Sequence, residues 1–408
     1  MLPEGWKYAN LGEIISHRKG HPFKSNTYKN YGTRVIRISD TTSNSIHSLN
    51  PVFIENNGDE NLDEFALKHG DIILTTVGSK PHLIDSMVGK AVRIPEEIDG
   101  ALLNQNLVKL SPNDKFIISD ILFLYLKSRN FISYISDLVR GNANQVSISL
   151  KDIFAYRVLL PPLPEQKKIA AILSTWDRAI EGTEKLLANS QQQKKALMQQ
   201  LLTGKKRLPG FTGEWKPHTL SELAVMSSGG TPLSTQKAYF GGNIPWVSIA
   251  DMTRCGKYIS QTEKTLTKSG LDNSSAKLYP KNTVLYAMYA SIGECSIAST
   301  ELSCSQAILG IRTNSKLYFE YLYFYLSFLK EKIKLLGQTG TQSNLNAKMV
   351  KAFGINLPPL PEQKAIAAVL TTADEEITAL ESDLSRLRQE KKALMQQLLT
   401  GKRRVTVD

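Results

Sequence analysis

The stretch Leu160-Pro-Pro-Leu-Pro-Glu-Gln-Lys167 recurs 197 residues later as Leu357-Pro-Pro-Leu-Pro-Glu-Gln-Lys364 in a chain of 408 residues. The same offset relates Lys194-Lys-Ala-Leu-Met-Gln-Gln-Leu-Leu-Thr-Gly-Lys205 to residues 391–402. Between 160 and 207, 31 of the 48 positions match their counterparts without a gap. Self-similarity at a fixed offset indicates an internal duplication.

The segments between the two repeats resemble each other only faintly. Arg37-Ile-Ser-Asp40 resembles Ser248-Ile-Ala-Asp251, and Asn104-Gln105 resembles Ser305-Gln306. The chain therefore alternates between variable and repeated segments. We predict four parts with the boundaries 1–159, 160–207, 208–356 and 357–408.

Both repeats are predicted to be long helices. The prolines at 161, 162 and 164 fix an extended approach, and Glu165 then lies in the first turn, where the helix dipole favours an anion. Gly204 and Gly401, each followed by basic residues, are suitable C-terminal stops. A helix of ~39 residues would be ~58 Å long at the usual rise per residue.

Apolar residues in both repeats follow the heptad spacing of coiled coils. The second repeat carries them at Leu370, Ala373, Ile377, Leu380, Leu384, Leu387, Leu394 and Leu398, and the first at Leu173, Trp176, Ile180, Leu187, Leu197 and Leu201. Polar residues interrupt the pattern at Thr183, Ser190, Lys194 and Lys391. Because domain termini often lie close together, we expect the two helices to pair antiparallel. Separate bundling of each helix with a partner protein is the alternative.

The variable segments have the pattern of mixed helix and strand. Strand candidates are 33–38, 71–77, 88–94 and 106–110 in the first, and 245–250, 283–290 and 307–312 in the second. Aromatic-rich helices are predicted at 116–129 and 317–335. The predicted fold class is α+β: two α/β domains separated by two long antiparallel coiled-coil helices, related by a pseudo-two-fold axis.

The charge favours a polyanionic partner. Lys and Arg number 50 against 38 Asp and Glu, which gives a net charge of +12 and a pI near 9.3. Residues 208–356 carry +6 and residues 160–207 carry +5 of this excess. The basic triplets at 205–207 and 402–404 could neutralise phosphates or compensate helix dipoles.

Reading DNA bases requires Arg, Lys, Asn, Gln, Ser and Thr on loops that reach groove edges. Two such segments, 141–147 and 338–344, occupy matching places directly before the two repeats. The candidate DNA-contact residues are Arg18, Lys19, Lys24, Lys80, Asn142, Asn144, Gln145, Lys237, Tyr289, Thr341, Gln342 and Asn344.

Motifs for catalysis and cofactor binding are missing from the sequence. It contains no Walker A loop and no GxGxxG, and its three cysteines form no CxxC pair. With no leader or membrane-length apolar stretch, a cytoplasmic location is expected. Asp152, Glu165 and Lys167 loosely mimic the acidic residues and lysine of a metal-dependent nuclease. Because the second copy has Met349 in place of Asp152, this alternative is disfavoured; a non-DNA coiled-coil scaffold is another alternative.

The duplicated Leu-Pro-Pro-Leu-Pro-Glu-Gln-Lys segment resembles the specificity subunit of Type I restriction–modification systems, and the resemblance covers the whole chain. Looser marks are a Trp near each start, Arg-Ile-Ser-Asp40, Val-Gly-Lys-Ala91, Asn-Gln105 and the loop of Gln145; the second domain departs from them at Ile-Gly-Glu-Cys295 and Ser-Gln306. Each variable domain would then be a target recognition domain for one half of a bipartite DNA sequence, with the helices fixing the gap.

The same resemblance implies a subunit that is not catalytic itself. Its expected partners are double-stranded DNA, two modification (methyltransferase) subunits and the restriction (translocase/endonuclease) subunits. S-adenosylmethionine, ATP and Mg²⁺ are expected on those partners and not on this chain. Trp176, on the exposed surface of the first helix, is the candidate anchor for a methyltransferase subunit.

Overall fold

A computed structural model describes residues 2–42, 45–47, 49–55, 62–79, 88–139, 146–289, 291–338 and 345–407. The chain divides into two compact units. The first comprises residues 1–183 and 383–408, and the second comprises residues 184–382. Each long helix therefore contributes one part of its length to the first unit and the other part to the second.

The first unit is built around a four-stranded antiparallel sheet in the order β2-β9-β5-β7. Its strands are β1 (Lys7–Asn10), β2 (Ile15–Lys19), β3 (Thr33–Ile36), β4 (Val52–Ile54), β5 (Ile72–Thr75), β6 (Val77–Gly78), β7 (Ala91–Arg93), β8 (Leu102–Leu103), β9 (Leu107–Pro112), β10 (Val146–Ser147) and β11 (Arg157–Leu160). Its helices are α1 (Leu11–Ile14), α2 (Ser119–Lys127), α3 (Arg129–Leu138), α4 (Leu150–Phe154) and the first part of α5 (Leu163–Leu201).

Both faces of this sheet are covered. Along β5, Ile72 and Leu74 join the core that contains α2, α3 and the start of α5, while Ile73 points into a second core formed with β7. Alternation of this kind within a continuous apolar run is what a strand buried on both sides requires. The strands predicted at 33–38, 71–77, 88–94 and 106–110 are confirmed with shorter or slightly shifted ends.

The second unit repeats this plan with a five-stranded sheet in the order β13-β20-β17-β18-β15. Its strands are β12 (Lys216–Thr219), β13 (Ala224–Ser228), β14 (Phe240–Val247), β15 (Tyr258–Ile259), β16 (Lys264–Leu266), β17 (Val284–Ala287), β18 (Cys295–Ala298), β19 (Ser303–Cys304), β20 (Ile308–Thr313) and β21 (Gly354–Leu357). Its helices are the last part of α5, α6 (Leu220–Leu223), α7 (Ile249–Cys255), α8 (Lys268–Asp272), α9 (Phe319–Gln338), α10 (Ala347–Lys351) and the first part of α11 (Leu360–Leu399), whose last part belongs to the first unit.

The aromatic-rich helices differ between the units. The one predicted at 116–129 ends at Lys127, and α3 begins two residues later, because Ser128 has an extended backbone and its hydroxyl accepts a hydrogen bond from the Phe131 amide. Its counterpart α9 continues without such a break to Gln338. Both lie against the sheet of their own unit and contribute buried side chains to its core.

The two repeats form the predicted long helices α5 and α11, of 39 and 40 residues. In both, the heptad positions are the covered ones, and these include the polar Thr183, Ser190, Lys194 and Lys391. Within the first unit, Leu173 near the start of α5 shares a core with Leu398 near the end of α11. Within the second unit the ends are exchanged, since Leu201 of α5 lies with Leu370 of α11. The antiparallel pairing is therefore confirmed in each unit.

Across the described ranges, neither these helices nor any other has the length and apolar character needed to cross a membrane.

Candidate nucleic-acid interface

The start of α5 is fixed by a buried carboxylate. Glu165 accepts hydrogen bonds from the indole nitrogen of Trp6 at 3.2 Å and from two nitrogens of Arg404 at 3.0 and 2.5 Å. The guanidinium of Arg404 also lies over the Trp6 ring, 5.8 Å from its centroid. The hydrogen bonds with Glu165 raise the pKa of Arg404, so the arginine stays charged.

The second unit repeats this cluster at the start of α11. Glu362 is fully buried and accepts hydrogen bonds from Trp215 at 3.1 Å and from Arg207 at 2.5 and 2.7 Å. Gly204, in the left-handed region at φ 71°, ends the preceding helix. Each basic triplet thus supplies its last arginine to a buried glutamate, a role that neither interpretation of the triplets anticipated.

The glutamine after each glutamate ties the helix to the sheet. The side-chain oxygen of Gln166 accepts from the Ile118 amide at 3.1 Å, and its amide nitrogen donates to the carbonyls of Phe116 and Pro161. Gln363 makes the same three bonds, with the Tyr318 amide and the carbonyls of Lys316 and Pro358. The repeated Pro-Glu-Gln motif is therefore an attachment point.

The residues of the nuclease alternative have other roles in the structure. Glu165 is engaged by Trp6 and Arg404, and Asp152 accepts a hydrogen bond from the Ser149 hydroxyl at 2.7 Å at the start of α4. The described part of the chain contains no group of three His, Cys, Asp or Glu side chains placed to hold a metal ion.

One end of the first unit's central sheet gathers the turns that the sequence singled out. Lys19 at the end of β2 pairs with Val108 near the start of β9, and Thr75 at the end of β5 pairs with Leu107. The loop after β2, the turn before β9 and the segment after β5 therefore leave from the same end. We call this end the loop end; the turn that binds Gln166 follows β9 at the opposite end. The loop end of the second unit is defined in the same way, because Ser228 at the end of β13 pairs with Leu309 of β20 and Ala287 at the end of β17 pairs with Ile308.

Close backbone contacts shape the loop end. The amide of Gly20 donates to Leu107, and a side chain at position 20 would come within 2.1 Å of the carbonyl oxygen of Asn104. In the second unit, Gly229 donates to Ile308 and would come within 2.2 Å of the carbonyl oxygen of Cys304. Only glycine fits such an approach of two backbones.

The chain returns from each of the two predicted base-reading segments beside the loop end of its unit. In the first unit β6 and β10 pair, with Gly78 opposite Val146, and the Ile148 amide donates to Thr76 at 3.0 Å. In the second unit the Leu345 amide donates to Met288 at 3.1 Å. Leu345 lies 197 residues after Ile148, so the repeat offset holds here as well.

The described candidate residues lie at or near the loop ends. Lys19 and Lys24 are exposed at the end of β2 and in the loop after it, and Lys237 is exposed in the corresponding loop of the second unit. Tyr289, two residues beyond β17, is 39% exposed. Arg18 forms an ion pair with Glu64, which offsets its charge. The remaining candidates lie outside the described residues: Lys80, Asn142, Asn144, Gln145, Thr341, Gln342 and Asn344.

Trp176 lies at a covered heptad position of α5 and is half-buried. Its role as a partner anchor stays a prediction.

Two glutamines at the loop ends are absent from the candidate DNA-contact residues, because their positions served only to align the two domains. Gln105 and Gln306 are exposed in the turns before β9 and β20, and the backbone amide of Gln105 donates to the carbonyl of His21. Amide side chains there can bind base edges, and the matched pairs Asn104-Gln105 and Ser305-Gln306 were the available signal. The faint match of Asp40 with Asp251 is structural, because both buried carboxylates cap the start of a helical turn.

A family model described as the Type I restriction modification DNA specificity domain matches the chain twice, over residues 3–189 and 212–387. The putative type I restriction enzyme MjaX specificity subunit of Methanocaldococcus jannaschii is 28% identical over 422 residues, covering 99% of this chain and 95% of the relative.

Solved structures show the same fold. The S subunit of a Type I restriction–modification system from M. genitalium aligns with a TM-score of 0.60 and 14% identity over 97% of this chain and 96% of its own. A second solved structure, which concerns the complex assembly and conformational transition of the type I R-M system, aligns with a TM-score of 0.62 and 21% identity. The alignment covers 99% of this chain and 100% of that chain. The α+β fold class with repeated domains is thereby confirmed.

Proposed function

This chain belongs to the Type I restriction–modification DNA specificity family, and from that premise we propose that each unit reads one half of a bipartite DNA target through its loop end. The chain is a sequence-specific DNA-binding subunit and is not an enzyme itself. The observation that carries the proposal is the matched placement of the loops. Both units bring a lysine-bearing loop, an amide-bearing turn and the C-terminal flank of an Asn- and Gln-containing segment to the same end of the central sheet.

The residue types indicate which side chains contact phosphates and which read bases. Exposed lysines such as Lys24 and Lys237 suit phosphates, which position a protein without identifying bases. Amide side chains can pair with the edge of adenine, so Asn144, Gln145, Gln342 and Asn344 are the proposed base readers. We infer that α5 and α11 fix the unread gap between the two half-sites, because each is a single unbroken helix shared by both units.

The family further supports a place in a larger complex. We propose that two methyltransferase subunits and the restriction subunits join this chain in the cytoplasm, with S-adenosylmethionine, ATP and Mg²⁺ bound to those partners. Trp176 is the proposed contact for a methyltransferase subunit.

The matched residues Gln145 and Gln342 give a direct test. In the complex with the methyltransferase subunit, Gln145→Ala should relax base preference in one half-site and Gln342→Ala in the other. Each should cost about 1–3 kcal/mol of discrimination, the usual value of a bidentate base contact. Affinities for a library of DNA duplexes, randomised one half-site at a time, measure both effects.

Lys24→Ala serves as the control, since loss of a phosphate contact should weaken binding to all sequences alike and lower the salt dependence. The proposal fails if both glutamine variants affect the same half-site or weaken binding to every sequence equally.

A further inference from the structure

The first unit contains a groove of about 1010 Å³ between the turn that joins α2 to α3, the paired strands β1 and β11, and the last turns of α11. Five cationic side chains line it, and none of the described residues that line it is Asp or Glu. We call it the basic groove. Its cationic residues are Lys127, Arg129, Arg157, Arg388 and Lys392.

The floor of the basic groove is largely apolar. Val158 and Leu399 are buried, Met395 is half-buried, and the phenol ring of the buried Tyr125 lies beside them. An apolar floor under a cationic rim suits a ligand that carries both carboxylates and apolar side chains. A phosphodiester backbone would leave such a floor unused, because proteins bind it through charges and hydrogen bonds.

Two cations of the groove have further contacts or a shifted pKa. Arg157 stacks on the ring of Tyr8 at 4.6 Å from the centroid, which fixes its direction. Burial lowers the pKa of Lys127, and the nearby charge of Lys391 lowers it further. An anionic ligand beside Lys127 would favour its charged form, and the partial exclusion of water would strengthen the attraction.

The second unit lacks this charge. Because Ile118 and Tyr318 bind equivalent glutamines, and the strand pairs Asn10–Arg157 and Thr219–Gly354 share one register, the counterparts can be assigned. Three cationic positions of the first unit have uncharged counterparts, and Lys392 keeps its charge, as Lys195. The uncharged counterparts are Ser327 for Lys127, Gly354 for Arg157 and Gln191 for Arg388, while Arg129 lies beyond the break at Ser128 and is not assigned a counterpart.

We propose that the basic groove is a docking site for an acidic, partly apolar segment of a partner polypeptide, and that the chain offers this site only once. The inference rests on the proposed function in one respect, namely that partner subunits assemble on this chain. From Arg388 to Thr400 the groove follows α11 for about 18 Å, enough for roughly five residues of extended peptide or three helical turns. The two units would therefore bind two copies of the same partner with different affinities.

The test uses the full chain with the methyltransferase subunit as the probe. Lys392→Glu and Arg129→Glu should each weaken the binding of one partner copy on the order of tenfold, since each reverses a charge at the rim. Lys195→Glu is the matched control, because it makes the same change at the counterpart of Lys392. Native mass spectrometry gives the stoichiometry, calorimetry gives the affinities, and thermal melting verifies that each variant is folded.

Equal weakening by Lys195→Glu and Lys392→Glu would overturn the proposal, as would full assembly in all variants. Uniformly weaker DNA binding with intact assembly would identify the groove as a phosphate site, and loss of ATP binding with intact assembly would identify it as a nucleotide site; both results contradict the proposal. Failure of the proposed function would show separately, as an absence of half-site preference in the unaltered chain.

Discussion

At the scale of residues, one buried glutamate at the start of each long helix fixes how that helix joins its unit. From the sequence, Glu165 was assigned only a favourable interaction with the helix dipole. The structure adds direct hydrogen bonds from Trp6 and Arg404. Glu165 and Glu362 each bind an indole nitrogen and an arginine that lies 239 or 155 residues away in the chain. Partners so distant in sequence cannot be identified from local pattern, although the recurrence of Trp, Glu and Arg at matching places was visible.

Removing the arginine should leave the glutamate buried without its counterion. Arg404→Met is expected to lower the melting temperature of the first unit, because Glu165 would keep a buried charge without its counterion, with solvent access to Arg404 limiting the loss. Arg207→Met should cost more, because Glu362 is fully buried and the side chain of Glu165 is 8% exposed. Calorimetric melting of the full chain measures both.

Arg403→Met is the matched control for this pair of substitutions, since Arg403 is an exposed neighbour of Arg404. Surface changes of this kind usually stay within about 0.5 kcal/mol. An equal effect of Arg403→Met and Arg404→Met would mean that the triplet acts through its total charge and not through Glu165.

At the scale of elements, the heptad pattern predicted the helices and their covered faces, and chain connectivity predicted their antiparallel direction. The polar heptad positions looked like interruptions of the stripe. In the structure Lys194 pairs with Asp374, and its counterpart Lys391 pairs with Asp177, which is the counterpart of Asp374. These pairs depend on the register between two distant segments. Periodicity within one segment carries no information about that register. The two ion pairs therefore could not be predicted from the sequence.

The variable domains were predictable to the level of strands and helices, because their apolar runs are strong. The order of strands in each sheet was not, since it depends on long-range packing of segments with little local signal. The break at Ser128 was also missed, although serine is a common helix N-cap. For the loop ends, matching composition before each repeat located the candidate segments. Their C-terminal flanks are placed at the loop ends only by the strand registers and by the Leu345–Met288 hydrogen bond.

The two ion pairs between the helices should differ in strength. Both carboxylates face a lysine at a heptad position, but Asp374 is 22% exposed and Asp177 is 59% exposed. Double-mutant cycles with Lys→Met and Asp→Asn should give a coupling of about 0.2–1 kcal/mol for each pair, larger for Lys194–Asp374. Raising the salt concentration should reduce the Lys391–Asp177 coupling more.

Thermal melting of the single and double variants provides these couplings. Equal couplings with equal salt dependence would show that the register, and not solvent access, decides how much each pair contributes.

At the scale of the whole molecule, the contacts that attach and pair the long helices are the same in both copies, whereas other features differ. The glutamate, the glutamine and the helical ion pairs recur in both copies. The loops recur in placement but not in sequence, and most cationic positions of the basic groove are not repeated. A chain built in this way can vary its loops without altering how the helices pair. The net charge of +12 is correspondingly uneven between the copies.

If the two helices set the unread gap, lengthening both should move the half-sites apart without changing them. Insertion of seven residues after Gln191 and after Arg388 keeps the heptad register, so the helices can still pair. Seven helical residues add about 10.5 Å, close to the length of three base pairs of DNA. The preferred gap should therefore grow by about three base pairs, measured by binding to duplexes with graded spacers.

Insertion in one helix alone should weaken assembly and leave the gap preference unchanged, because the second helix still sets the shorter length. A changed half-site in the doubly lengthened chain would contradict the proposal, since it would mean that the helices themselves contact bases.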